Sequence, residues 1–205
     1  MVGSLIREVN FLNTKETIIN VSIELFGLHG YEGASMEAIA NKVGVKKGSL
    51  YAHFSGKSDI YMGACNQIIS KVEKSITELL SVMYNISPEK KLYTILEFIT
   101  IESDYLTSED ISFVKRSILM TDNKLCDLTL ELFICFQSFI EKIVLSIFNE
   151  CLAKGIIKKQ VIENAMSAYL FLINNIYTES NTNPLILKSH LQLLWQFYWT
   201  GVVYA

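Results

Sequence analysis

An all-α fold of about nine helices is what the sequence predicts, on three observations. Breakers are scarce, with two prolines and ten glycines in 205 residues, while Leu, Ile, Glu and Lys abound. Apolar residues recur at three- and four-residue spacing from residue 18 to residue 202. Residues 35–57 read as two short helices joined by a tight turn. The expected division is a three-helix domain with a helix-turn-helix over 1–60 and a larger helical domain over 61–205. Half the residues are hydrophobic, enough for a substantial core and too many for disorder.

The first helix is expected over 14–29, with Thr14 as N-cap and Ile18, Val21, Leu25 and Phe26 on one face. Gly30 stops it. Ser35 caps the second helix, and Glu37 complements its positive end. Ile39, Val43, Val45 and Leu50 form a miniature core. Ala40 is small where two helices approach, and Gly44 takes a left-handed turn at low cost. A small residue, a glycine four later and an apolar residue six after that is the spacing of a helix-turn-helix. An ordinary αα-hairpin shares the pattern.

A longer helix is expected from Lys57 to about Tyr84, broken by Asn85-Ile-Ser-Pro88. Further helices follow near 88–106 and 109–121, the latter capped by Ser108. The next, near 123–153, carries the stripe Leu125, Leu128, Leu132, Phe136, Phe139, Ile143 and Ile147 and ends at Gly155. The last two, near 160–179 and 184–203, each carry two apolar stripes, and two stripes require two partners. For helices at the carboxyl end, the second partner is expected to be another copy of the chain. The dimer contacts expected on them are Tyr169, Ile173, Leu191, Leu194, Trp195 and Tyr198.

The net charge of −3 hides a local asymmetry. Residues 1–60 carry six basic and six acidic side chains, but none of the acids falls between Glu37 and Asp59. That interval holds Lys42, Lys46, Lys47, Lys57 and His53, a positive patch of the kind that meets a polyanion, although solvated lysines on a helix face read the same way. Cys65, Cys126, Cys135 and Cys151 form no C-x-x-C pair and read as free thiols. No secretory signal and no membrane span is expected, which places the chain in the cytoplasm as a soluble protein.

The stretch Thr14–Ile60 resembles the N-terminal domain of TetR-type transcriptional regulators. The matching residues are Leu25-Phe26, Gly30-Tyr31, Ile39-Ala40, the run Gly44-Val45-Lys46-Lys47-Gly48-Ser49-Leu50-Tyr51-Ala52-His53-Phe54, and Lys57. The resemblance covers about the first 60 residues. It implies an all-helical homodimer whose three N-terminal helices bind operator DNA and whose C-terminal helices bind an inducer and form the dimer. Lys46 departs from the serine often found there, so the recognition helix lacks a side-chain cap.

On this reading Lys47 donates to a guanine edge, Gly48 permits close approach, and Ser49 contacts a base or a phosphate. Tyr51 and His53 are expected at phosphates, as are Lys57 and Ser35 at the starts of their helices; Lys46 adds charge. Packing is the alternative for Tyr51, and plain solvation for Lys46. The effector is expected to be a hydrophobic or amphipathic small molecule held by Phe98, Tyr105, Phe113, Phe133, Phe136, Gln137, Tyr169 and Asn174, although aromatics of this kind also make ordinary cores. No metal or cofactor is implied. The sequence contains no H-E-x-x-H, no G-x-S-x-G and no phosphate-binding glycine loop, and its three histidines (His29, His53 and His190) lie far apart, so an enzyme is not expected. A helical small-molecule or lipid carrier whose N-terminal domain no longer binds DNA is the alternative function.

Overall fold

The computed structural model describes the backbone of residues 2–100, 105–118, 123–176 and 184–204. Every regular element among them is helical: α1 (Val2–Gly33), α2 (Met36–Val43), α3 (Lys47–Leu50), α4 (Lys57–Ser81), α5 (Pro88–Thr100), α6 (Ser108–Ile118), α7 (Asn123–Ala153), α8 (Ile162–Ile176) and α9 (Pro184–Tyr204). A single 3-10 turn, Lys159–Val161, leads into α8. The helix expected from Thr14 already runs from Val2, so Thr14 lies inside α1 rather than at its cap. Gly30 does break it, at φ 72° and ψ 174°, a conformation that suits a residue without Cβ. Gly155, at φ 68°, follows the end of α7.

The chain forms two compact units, residues 1–72 with 106–134 and residues 73–105 with 135–205. In the first, Ile18 and Phe26 of α1, Ile39 of α2, Leu50 of α3 and Ile60, Tyr61 and Ala64 of α4 are all but inaccessible to water. Each large side chain buried in this way contributes about 1.5–3 kcal/mol. Helix α6 closes this core by crossing α1 at Gly27. A Cβ built on Gly27 would lie 3.1 Å from the Phe113 amide nitrogen and 3.2 Å from the Glu109 carbonyl oxygen, so a side chain there would require the crossing to open by a few tenths of an ångström. Arg116 donates from Nε to the Gly27 carbonyl (2.8 Å) and from an Nη to the Leu28 carbonyl (2.9 Å), bracing α1 just before its break at Gly30.

The start of α6 corrects one expectation. Its cap is Thr107 rather than Ser108: the Asp110 amide donates to Thr107 Oγ1 at 3.2 Å, and the Thr107 amide donates to Asp110 Oδ2 at 3.0 Å. This is a capping box with Asp in the reciprocal position. The Asp110 carboxylate is buried and also receives Lys71 Nζ of α4 at 2.8 and 3.0 Å, the partner a buried charge requires.

In the second unit Leu92, Ile95 and Leu96 of α5 are buried, as are Val144, Phe148 and Cys151 of α7, Tyr169 of α8 and Leu191 and Trp195 of α9. The Tyr169 hydroxyl donates to the Leu92 carbonyl and that of Tyr198 to the Ala165 carbonyl, both at 2.7 Å. Lys91 of α5 reaches Glu150 of α7 at 2.6 Å. Among the described residues no helix is long and apolar enough to cross a membrane, and no cluster of side chains is arranged to hold a metal ion.

Candidate nucleic-acid interface

The turn between α2 and α3 is built locally. Ser35 Oγ accepts the Ala38 amide at 3.1 Å and starts α2. Gly44 ends it at φ 81° and ψ 27°, its amide donating to the carbonyls of Ala40 and Asn41, while the Val45 amide also donates to Ala40. No atom lies within 4 Å of a Cβ at Gly44, so glycine is required there by backbone conformation and not by space. Lys46 then takes an extended conformation as N-cap of α3 with no side-chain hydrogen bond, as its replacement of serine implies.

Helix α3 is one turn long, and the Phe54 amide donates to the Leu50 carbonyl (2.9 Å) to extend it as a turn. Leu50 and Phe54, four residues apart, are buried and pin this segment to the core. Its other face is free. Lys46, Lys47, Gly48, Ser49 and Tyr51 are exposed, and nothing lies within 4 Å of a Cβ built on Gly48. Ser35 is exposed at the start of α2, and His53 is half-buried. Five of the expected contact residues are therefore exposed on one short segment, Lys46 to Tyr51, and Ser35 on α2, whereas His53 is partly covered and Lys57 is engaged elsewhere. Lys57 Nζ donates to the Tyr31 carbonyl at 2.8 Å, lies 4.2 Å from the centre of the Tyr31 ring and stands 4.0 Å from Glu32. It ties α4 to the end of α1, and the phosphate role expected of it competes with those contacts.

Sequence reasoning missed Glu37 as a neighbour of this face: its carboxylate lies 3.9 Å from Lys47 Nζ. The signal was available, since the two residues flank the Gly44 turn near the starts of successive helices.

The expected effector residues do not form one group. Phe113 belongs to the first unit, packed against Phe26 and Tyr61 where α6 closes the core, and this corrects its assignment to a C-terminal cavity. In the second unit Phe98 stacks on Tyr105 at 4.2 Å, Gln137 hydrogen-bonds Glu141, and Tyr169 is fully buried with its hydroxyl satisfied. Phe136 is half-buried on α7. The side chains of Phe133 and Asn174 lie outside the described residues. A groove of about 610 Å³ between the start of α5 and α9, lined by Ser87, Glu89, Lys90, Tyr93, Gln192, Trp195 and Gln196, shares none of the expected effector residues.

The expected dimer contacts lie mostly inside the single chain. Tyr169, Ile173, Leu191 and Trp195 are buried within the chain's own second unit, and Tyr198 is half-buried with its hydroxyl bonded to α8. Of the six, only Leu194 is largely exposed. Leu193 and Phe197 of the second α9 stripe are exposed together with Leu194, and Phe171 is exposed on α8.

Burial holds the protons of two cysteines, pushing the Cys65 thiol to about 12 and the Cys151 thiol to about 11. Neither is suited to nucleophilic chemistry at neutral pH. Cys135 is exposed, and Cys126 lies outside the described side chains.

Residues 18–62 match the profile of bacterial regulatory proteins of the tetR family. The biofilm operon icaADBC HTH-type negative transcriptional regulator IcaR of Staphylococcus aureus is 47% identical over 47 residues, 23% of this chain and 25% of that protein. The chain thus spans about a quarter of the length of that curated relative. Solved structures match far more of it. A TetR transcription regulator from Haloarcula marismortui superposes with a TM-score of 0.76 at 14% identity, covering 93% of this chain and 98% of that one. The transcriptional regulator FadR from Bacillus subtilis, in complex with stearoyl-CoA, does so with a TM-score of 0.66 at 16% identity, covering 92% and 97%. Residues 18–62 are thus similar to the helix-turn-helix segment of tetR-family regulators, and over about nine-tenths of its length the chain shares the all-helical fold of solved TetR-family structures.

Proposed function

We propose that this chain is a sequence-specific DNA-binding transcriptional repressor that acts as a cytoplasmic homodimer and leaves its operator when a hydrophobic or amphipathic small molecule binds. Residues 1–60 would hold the DNA and residues 61–205 the effector and the partner subunit. The observation that carries the reading is the free face of α3: Lys46, Lys47, Gly48, Ser49 and Tyr51 stand in solvent, while Leu50 and Phe54 fix the segment from behind. That arrangement lets a helix start enter a major groove, where Lys47 donates to guanine O6 or N7 and Gly48 brings the backbone near the bases. Ser35, Lys46, Ser49, Tyr51 and His53 supply contacts to the flanking phosphates. In a dimer two such heads meet half-sites about 34–36 Å apart.

The effector is assigned to the second unit, where Phe98, Tyr105, Phe136 and Gln137 offer apolar and aromatic surface with few polar groups. The long-chain thioester carried by the similarly folded Bacillus subtilis FadR supports an amphipathic class. Binding would favour one spacing of the DNA-binding heads over another. The reading gives the chain no catalytic step and requires no cofactor.

The test is selection of random duplexes by the purified protein, followed by binding of the enriched sequence with and without long-chain acyl-CoA, free fatty acid or a compound library. Enrichment of a near-palindrome, released by one of these compounds, is the expected result. Compound binding with no duplex affinity at low salt would instead show the carrier.

A further inference from the structure

The lysines near the DNA-facing surface are not equally available. Lys42 is paired with Glu24, and Lys57 is held at Tyr31 and Glu32. Lys46 has no carboxylate partner among the described residues. Lys47 is intermediate: its ammonium stands 3.9 Å from Glu37 Oε2, with 50% of the Lys47 side chain and 63% of the Glu37 side chain in solvent. Glu37 lies in the first turn of α2, and the left-handed turn at Gly44 brings it beside the start of α3. A carboxylate thus sits on the surface that is to face a polyanion.

We infer that Glu37 is a specificity-determining residue, which makes phosphate a poor destination for Lys47 and leaves a guanine edge as the good one. The inference rests on the DNA-binding reading above. An exposed pair at this distance is weak and easily left, so Glu37 biases Lys47 without immobilising it. A phosphate that draws Lys47 is itself anionic and is brought beside Glu37, so like-charge repulsion offsets the attraction. A guanine edge is neutral and offers two acceptors, O6 and N7, with no such repulsion. On unrelated sequence the bias toward Glu37 therefore lowers the share of Lys47 that displaces a counterion from DNA, whereas Lys46, which has no such partner, contributes on every sequence.

The experiment compares wild type, Glu37→Gln, Lys47→Ala and the double variant on two duplexes, the sequence enriched by wild type and a random one, by fluorescence anisotropy over a series of salt concentrations. Glu37→Gln is expected to tighten random-duplex binding by up to about fivefold and to steepen its log–log salt slope by up to about 0.9, the limit of one further counterion released. Binding to the enriched duplex should change less than about twofold, so the specificity ratio falls. In the Lys47→Ala background the same change should leave the slope unaltered. The inference is overturned if Glu37→Gln shifts both duplexes by one common factor, if it shifts neither, or if its effect on slope persists without Lys47. If wild type enriches no sequence and binds no duplex at low salt, the DNA-binding reading fails first and takes this one with it.

Discussion

Gly48 separates stability from DNA affinity more cleanly than the lysines beside it. It opens no steric conflict when replaced, since nothing lies within 4 Å of where its Cβ would stand. Alanine is favoured over glycine in a helix by about 1 kcal/mol, so Gly48→Ala should leave the melting temperature unchanged or raise it slightly. If the backbone at Gly48 approaches the bases, the same variant loses operator affinity by about tenfold or more, read by gel shift beside thermal denaturation. Unchanged affinity would show that α3 does not come that close. Lys47→Ala is expected to cost about 1–3 kcal/mol of specific binding and to relax selectivity at one base pair. Lys57 behaves differently because its ammonium is already engaged by the Tyr31 carbonyl and ring. Lys57→Ala should lower stability by about 1–2 kcal/mol with the salt slope near that of wild type. A slope reduced by about one would return Lys57 to the phosphate.

Among the elements, the α1–α6 crossing is the most demanding contact. A methyl at Gly27 meets backbone atoms of Phe113 and Glu109, which are less free to give than a side chain, so Gly27→Ala requires α6 to shift by a few tenths of an ångström. Overpacking of this kind costs about 1–3 kcal/mol, more than the helix propensity gained, and a lowered melting temperature is expected. Nothing near Gly27 in the sequence announces this role. The glycine and Arg116, which caps it, are 89 residues apart, and their meeting depends on how α6 packs. Features defined within about ten residues were legible: the Ser35 cap, the Gly44 turn, the Leu50–Phe54 anchor and the break at Gly30. The aromatic residues were legible as interior but not as a group, because Phe113 faces α1 while Phe98 and Tyr105 face each other.

A second test at this scale concerns α5 and α7. Hydrogen bonds from Lys154 and then Lys91 hold the Glu150 carboxyl below its ordinary value. Its contribution to stability is therefore present above the ordinary glutamate value near 4.3 and is lost as pH falls through the lower folded value. Glu150→Gln should melt earlier than wild type near neutral pH, and the gap should narrow as the pH falls below the ordinary glutamate value. A gap of constant size across that range would mean the charge plays no part.

For the molecule as a whole, the proposed homodimer raises the question of which face of the last two helices would meet another subunit. Sequence periodicity shows two apolar stripes on α9 but carries no sign of which one the chain keeps for itself. The fold decides it by burying Leu191, Trp195 and Val202 and turning Leu193 (54% exposed), Leu194 (45%) and Phe197 (80%) outward, with Phe171 (66%) on α8. Exposed apolar side chains close together on a helix mark a candidate site of association. The repressor proposed above would need such an association to read two half-sites. Phe197→Glu places a charge at the most exposed of these positions without touching the core. It should yield a folded monomer by sedimentation, with wild-type helicity and melting temperature at matched low concentration, and with cooperative binding to the two half-sites lost. Leu191→Ala is the counterpart on the inner stripe. It empties a buried position and should cost about 2–5 kcal/mol of stability, while the protein that remains folded still dimerises. The two variants exchange their effects if the stripes have been assigned the wrong way round, and a Phe197→Glu protein that stays dimeric places the interface on another face of the chain.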